Sequence, residues 1–234
     1  MLVSYILAVC LCGVFCLIPL TMYLLWLARI TRREHPTTIA GSWDFAGLVL
    51  GLSGFIVFGG GLLLTLLQSN FRYLMRGNFE ALRAAWVQEK LTWSLLVFLY
   101  LFIVLGGIGL TYLSRRRTLV VYNIEPAEFE AMLDEVFEQM GRSVMRRGKV
   151  WGNDAAVLFE LDEFDAGRTV TLRWLSRDER LFEEVERQLR AVVTTHPVDD
   201  NPASRWIMSG AVGSGTIVAC CFGLLVFYIS LLGR

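Results

Sequence analysis

The chain has 234 residues and no net charge; 55% of it is hydrophobic and only 19% charged, where a soluble domain carries about a quarter. The charges fall in three windows separated by apolar runs that hold none, which excludes an ordinary soluble globular fold and points to a membrane protein. A pI near 6.7, with acidic residues balancing the arginines, argues against nucleic acid as a partner.

The first apolar run, 2–28, is long enough at about 1.5 Å per residue to cross roughly 30 Å of hydrocarbon. It opens MLVSYIL with no basic n-region, exceeds a signal-peptide h-region and shows no A-x-A site, so it reads as a retained helix. Cys10, Cys12 and Cys16 lie in this run, and Cys220 and Cys221 in the last one. His35 and His196 stand apart in polar segments, so the thiols read as small, lipid-compatible residues, with no metal site, disulfide framework or cofactor expected.

The loop that follows reads ARITRREHP and carries Arg29, Arg32 and Arg33. The second span, 45–67, contains Gly47 and Gly51 one turn apart, then Gly59–Gly61 as a possible bend. Between 70 and 90, Phe71, Leu74, Met75, Phe79, Leu82, Ala85 and Trp86 recur at spacings of three and four, with Arg72, Arg76, Arg83 and Lys90 mostly elsewhere. That pattern predicts an amphipathic helix in the membrane interface. The third span is 92–113, followed at once by Arg115, Arg116 and Arg117.

Lys and Arg collect on cytoplasmic flanks. Arg29–Arg33 and Arg115–Arg117 agree on one side, and Arg205 adds to it. The expectation is an integral protein of a bacterial cytoplasmic (inner) membrane, with 115–205 cytoplasmic and both termini outside. The six arginines Arg29, Arg32, Arg33, Arg115, Arg116 and Arg117 would anchor the chain at the lipid surface. Trp26, Trp43, Trp93 and Trp206 sit at span ends, as an aromatic belt would place them.

Residues 115–200 read as a soluble α+β domain. Residues 118–124 alternate as a strand. Glu125-Pro126 opens a helix with Phe129, Met132, Leu133, Val136, Phe137 and Met140 on one stripe, stopped by Gly141. Strands are expected over 143–150, 155–161 and 168–174, with a turn at Gly152-Asn153. Ser176 to Glu179 is a capping box for a helix to about Val193, with Leu181, Phe182, Val185, Leu189 and Val192 inward. The order βαβββα suits a four-stranded antiparallel sheet with two helices on one face. The proline-bearing stretch THPVDDNPAS is a tether to the fourth span, 206–232. The chain therefore divides into a transmembrane region (1–114), the soluble domain (115–200), and tether plus last span (201–234). The fold class is four transmembrane helices joined to a small α+β domain.

Chemistry is sparse. There is no P-loop, H-E-x-x-H, G-x-S-x-G or paired C-x-x-C. Asp162, Glu163 and Asp165 before Gly167 lack EF-hand spacing and read as a solvated turn. The spans carry no Asp, Glu, Lys, Arg or His, which argues against an ion-coupled transporter. No catalytic residue is nominated. Gly47, Gly51, Ala211, Gly215 and Ala219 are nominated for helix packing, because only small side chains let helices approach closely in lipid. Three functions stay open. They are, in order, a non-enzymatic scaffold or assembly subunit whose domain binds a protein partner or a second copy, a channel or transporter subunit formed by oligomerisation, and a membrane enzyme.

Overall fold

A computed structural model describes residues 2–67, 73, 77–153, 156–199 and 201–232. In chain order the elements are α1 (Leu2–Thr31), β1 (Thr37–Ala40), α2 (Gly41–Leu67), α3 (Phe79–Gln88), α4 (Lys90–Ser114), a 3₁₀ turn (Arg115–Arg117), β2 (Thr118–Tyr122), α5 (Pro126–Gln139), β3 (Met145–Arg147), β4 (Val150–Gly152), β5 (Val157–Phe164), β6 (Thr169–Trp174), α6 (Glu179–Thr195) and α7 (Pro202–Leu232). Among the described residues, α1, α2, α4 and α7 are the four helices long and apolar enough to cross a membrane.

The chain forms two compact units. One comprises Met1–Leu24, Leu48–Leu110 and Gly210–Arg234; the other comprises Leu25–Gly47 and Thr111–Ser209. Each passage from one unit to the other therefore falls inside a long helix. This explains why α1 and α7 have 30 and 31 residues where about 20 suffice to span the hydrocarbon. The last turns of α1 and the first of α7 belong to the α+β unit, a division that differs from the expected break at residue 115.

The sheet corrects the sequence reading most clearly. Among the described residues it has six antiparallel strands, ordered β1-β2-β6-β5-β4-β3, not four. The first extra strand, β1, comes from the loop between the first two spans. Thr37, Thr38 and Ile39 are β-branched and bounded by Pro36 and Gly41, and they pair with β2 from Thr37↔Tyr122 to Ala40↔Leu119. The second arises because the expected strand 143–150 folds back on itself. Gly148 adopts φ +67°, so β3 and β4 form a hairpin of their own. β2 ends where Asn123 takes φ 63°, a left-handed conformation that asparagine tolerates.

Helices α5 and α6 cover one face of the sheet. Leu119, Val121, Phe129, Leu133, Val136, Val185 and Leu189 are fully buried there. Trp151, Phe159 and Trp174 stand in register across β4, β5 and β6. Their rings stack at centroid spacings of 5.8 and 5.7 Å, with Phe137 of α5 stacked on Phe159 at 5.7 Å. On the opposite face, Val120 and Tyr122 are covered by Ile30, Leu27 and Ile39. All five residues of β2 are consequently buried. At the β1–α2 junction a Cβ on Gly41 would lie 2.7 Å from Thr118 Cβ, so glycine permits the turn out of the sheet.

Within the expected interfacial helix, α3 is capped by Asn78, whose side chain accepts from Ala81 N at 3.0 Å. The expectations for Phe71, Arg72, Leu74, Met75 and Arg76, and for the side chains of Phe79 and Trp86, lie outside the described residues.

A fragment of residues 115–200 alone would expose Val120 and Tyr122 and leave β2 an open edge. Fusing residues 25–41 ahead of it through a flexible linker should raise its urea midpoint, followed by circular dichroism. Equal midpoints would mean that β1 and the end of α1 add nothing to the sheet.

Candidate functional site

Two regions concentrate the side chains that the sequence nominates. The first is the set of helix ends in the α+β unit. Asp44 lies in the first turn of α2, where the helix dipole favours a carboxylate. The Tyr122 hydroxyl donates to its Oδ1 at 2.5 Å, and an Arg115 nitrogen lies 3.9 Å from its Oδ2. The Arg115 guanidinium also stands 5.6 Å from the Phe45 ring centroid. Arg117 pairs with Glu179, at the start of α6, at 2.7 Å. Arg116 is exposed and stands 5.9 Å from the Tyr112 ring centroid. Arg29, Arg32 and Arg33 are exposed.

The six arginines do not form one patch. Arg115–Arg117 immediately precede β2, whereas the Arg33 carbonyl accepts from Asn123 Nδ2 at 2.7 Å, just beyond the strand's other end. Five extended residues at about 3.4 Å each separate Arg33 from the triplet by roughly 17 Å.

The tether also differs from a free linker. Val198 N donates to Glu34 O at 2.9 Å, and His35 Nδ1 to His196 O at 3.1 Å. Arg168 donates to Asp199 O at 3.3 Å, and Asn201 Nδ2 to Gly167 O at 3.2 Å. Asn201, fully buried, then caps α7 by accepting from Ala203 N. The segment is thus fixed along the β1 approach and the β5–β6 turn.

The second region is the helix packing of the other unit. A Cβ on Gly51 would stand 2.7 Å from Tyr23 Cβ; one on Gly215 would meet Thr21 at an ordinary 3.5 Å. Ala211 is 1% exposed, Gly47 is half-buried and Ala219 is exposed. The tightest approach is at a residue the sequence reading did not single out. A Cβ on Gly54 would strike the Phe15 carbonyl and lie 2.5 Å from Cys16 Cα, so α1 and α2 meet backbone to backbone. Pro19, inside α1, has no N–H to offer the Phe15 carbonyl four residues earlier. That freed carbonyl is the one Gly54 approaches. The available signal was a proline four residues after Phe15, facing a span with glycines at 47, 51 and 54. Gly60 similarly makes room for the Tyr100 ring, whose hydroxyl donates to Ile56 O at 2.5 Å. Thr21 Oγ1 donates to Ser214 Oγ at 2.9 Å, joining α1 to α7.

Elsewhere in the domain, Arg146 bridges Glu130 of α5 and Glu163 of β5, and its Nε donates to Gly148 O at 2.9 Å. Burial pushes the Glu130 carboxyl above its ordinary value; Arg146 pulls it down, but the neighbouring Glu163 and Asp134 add to the rise. A groove of about 400 Å³ opens at the C-terminal end of α5, lined by Asp134, Phe137, Glu138, Gly141, Arg142 and Val144. Among the described residues, no group of three or more His, Cys, Asp or Glu side chains is placed to hold a metal ion. The chain matches no protein-family model, no curated protein and no solved structure.

Thermal melts of the full chain in detergent should rank the glycines. Gly54→Ala meets backbone and should cost about 1–3 kcal/mol, as overpacking does, while Gly215→Ala should be close to neutral. Equal melting temperatures for the two variants would show that the α1–α2 crossing is not close.

Glu130 supplies a pH dependence with a fixed sign. A carboxyl raised in the folded state stabilises below its unfolded value, and that stability is lost as pH rises through the folded value. The stability of Glu130→Gln relative to the unaltered chain should therefore increase as pH climbs from the acid range towards neutrality. A difference that stays constant with pH would remove the argument.

Proposed function

We propose that the chain is a non-enzymatic polytopic membrane protein, a scaffold or assembly subunit whose α+β domain holds a protein partner or a second copy of itself. One observation carries the reading: the link between the first two spans is a strand of the domain's own sheet. The α+β unit takes strand β1, the end of α1 and the start of α7 into its fold, which suits a domain that presents a surface. The groove at the C-terminal end of α5 is where that surface offers charged side chains of both signs, Asp134, Glu138 and Arg142. The arginine bias supports a cytoplasmic domain in a bacterial inner membrane, with both termini outside.

A second reading, a channel or transporter subunit built by oligomerisation, is favoured by α4. A Cβ on Gly106 or Gly109 would meet nothing within 4 Å outside its own stretch of helix, and Trp93 is the buried residue of α4. A membrane enzyme has the least support, since among the described residues no nucleophile, base and orienting group converge.

Light scattering on the protein purified in mild detergent tests the first reading. The 26.5 kDa chain should run with a stoichiometric partner or as a multiple of itself, and Arg142→Glu in the groove should release what is bound. A monomer without companions in every mild detergent would overturn it.

A further inference from the structure

We infer that the span ends in the α+β unit bind anionic phospholipid headgroups, and that Arg29 and Arg116, of the six flanking arginines, carry the interaction. This goes beyond the scaffold reading and rests only on the four apolar helices crossing a membrane. The arginines divide by what already occupies them. Arg115 and Arg117 are matched by Asp44 and Glu179. Arg32 and Arg33 stand beyond the far end of β2, roughly 17 Å along an extended strand from the triplet. Arg29 and Arg116 are exposed and form no ion pair among the described residues.

Their surroundings fit a headgroup layer. Arg29 lies three residues beyond Trp26 on α1, hence on the same helical face, and Trp26 is itself exposed. Arg116, exposed, stands over the Tyr112 ring at the end of α4, its Cζ 5.9 Å from the ring centroid. Trp43, in the first turn of α2, and Trp206, near the start of α7, are 70% and 81% exposed. Indoles left so open at span ends have their natural place among lipid headgroups, between apolar chains and water. An unmatched guanidinium at a span end is complementary to a phosphate, which it can grip with two parallel hydrogen bonds. The occupant follows from charge complementarity and from continuity with the apolar spans.

The test reconstitutes the full chain in vesicles and measures tryptophan quenching by brominated phosphatidylglycerol against brominated phosphatidylcholine. Phosphatidylglycerol should be preferred, with about a fivefold contribution from each arginine at low ionic strength. R29Q and R116Q should each lose about that factor, R29K and R116K should retain the preference, and R32Q and R33Q should leave it unchanged. Should a glutamine variant fail to fold, salt decides on the unaltered chain, because an electrostatic preference must shrink as ionic strength rises. Equal quenching by the two lipids, a preference indifferent to salt, or losses in R32Q and R33Q matching those in R29Q and R116Q would each overturn the inference.

Discussion

The pairing of β1 with β2 is the constraint on which the α+β unit depends. It turns β2 from an edge strand into an interior one and brings the end of α1 against the second face of the sheet. Leu119 and Val121 then belong to one core, and Val120 and Tyr122 to another, so one strand serves two apolar layers. Tyr122 shows the economy of the arrangement: its ring is buried against α1, and its hydroxyl reaches Asp44 at the start of α2. A strand, two helix ends and a 3₁₀ turn are fixed by groups that lie within a few residues of one another in space.

In the helical unit the corresponding constraint is close backbone contact. Lipid provides no hydrophobic drive for helices to associate, so van der Waals approach and interhelical hydrogen bonds must supply it. Both occur. Gly54 admits α1, Gly60 admits Tyr100, and Thr21 reaches Ser214. At the Pro19 and Gly54 pair one residue frees the Phe15 carbonyl and the other, lacking a Cβ, leaves room for the two helices to meet there.

Charge is distributed with a division of labour. Several domain arginines meet carboxylates, as in the Arg168–Glu125, Arg190–Glu186 and Arg146–Glu130 pairs. Such pairs are partly exposed, and each adds little to stability on its own. Their effect is to set register and orientation, as Arg146 does in clamping the β3–β4 hairpin to α5 and β5.

The four spans were legible in the sequence because hydrocarbon thickness demands long uncharged runs, and those need no tertiary partner to be recognised. Helix α6 was legible from its apolar stripe, although its cap is Asp178, which accepts from Leu181 N, and not the expected Ser176. The strand at Thr37–Ala40 was not read, because four residues between two spans look like any loop until β2 lies beside them. The sheet was therefore counted two strands short, the other miss being Gly148, whose left-handed turn divides one apparent strand into a hairpin. Small residues marked Gly51 and Gly215 as contact points, but which glycine meets backbone depends on how two helices cross. Composition likewise grouped six arginines by their nearness to spans. Only the paired strands reveal that five extended residues separate Arg33 from the triplet, since distance across a fold is set by register and not by position along the chain.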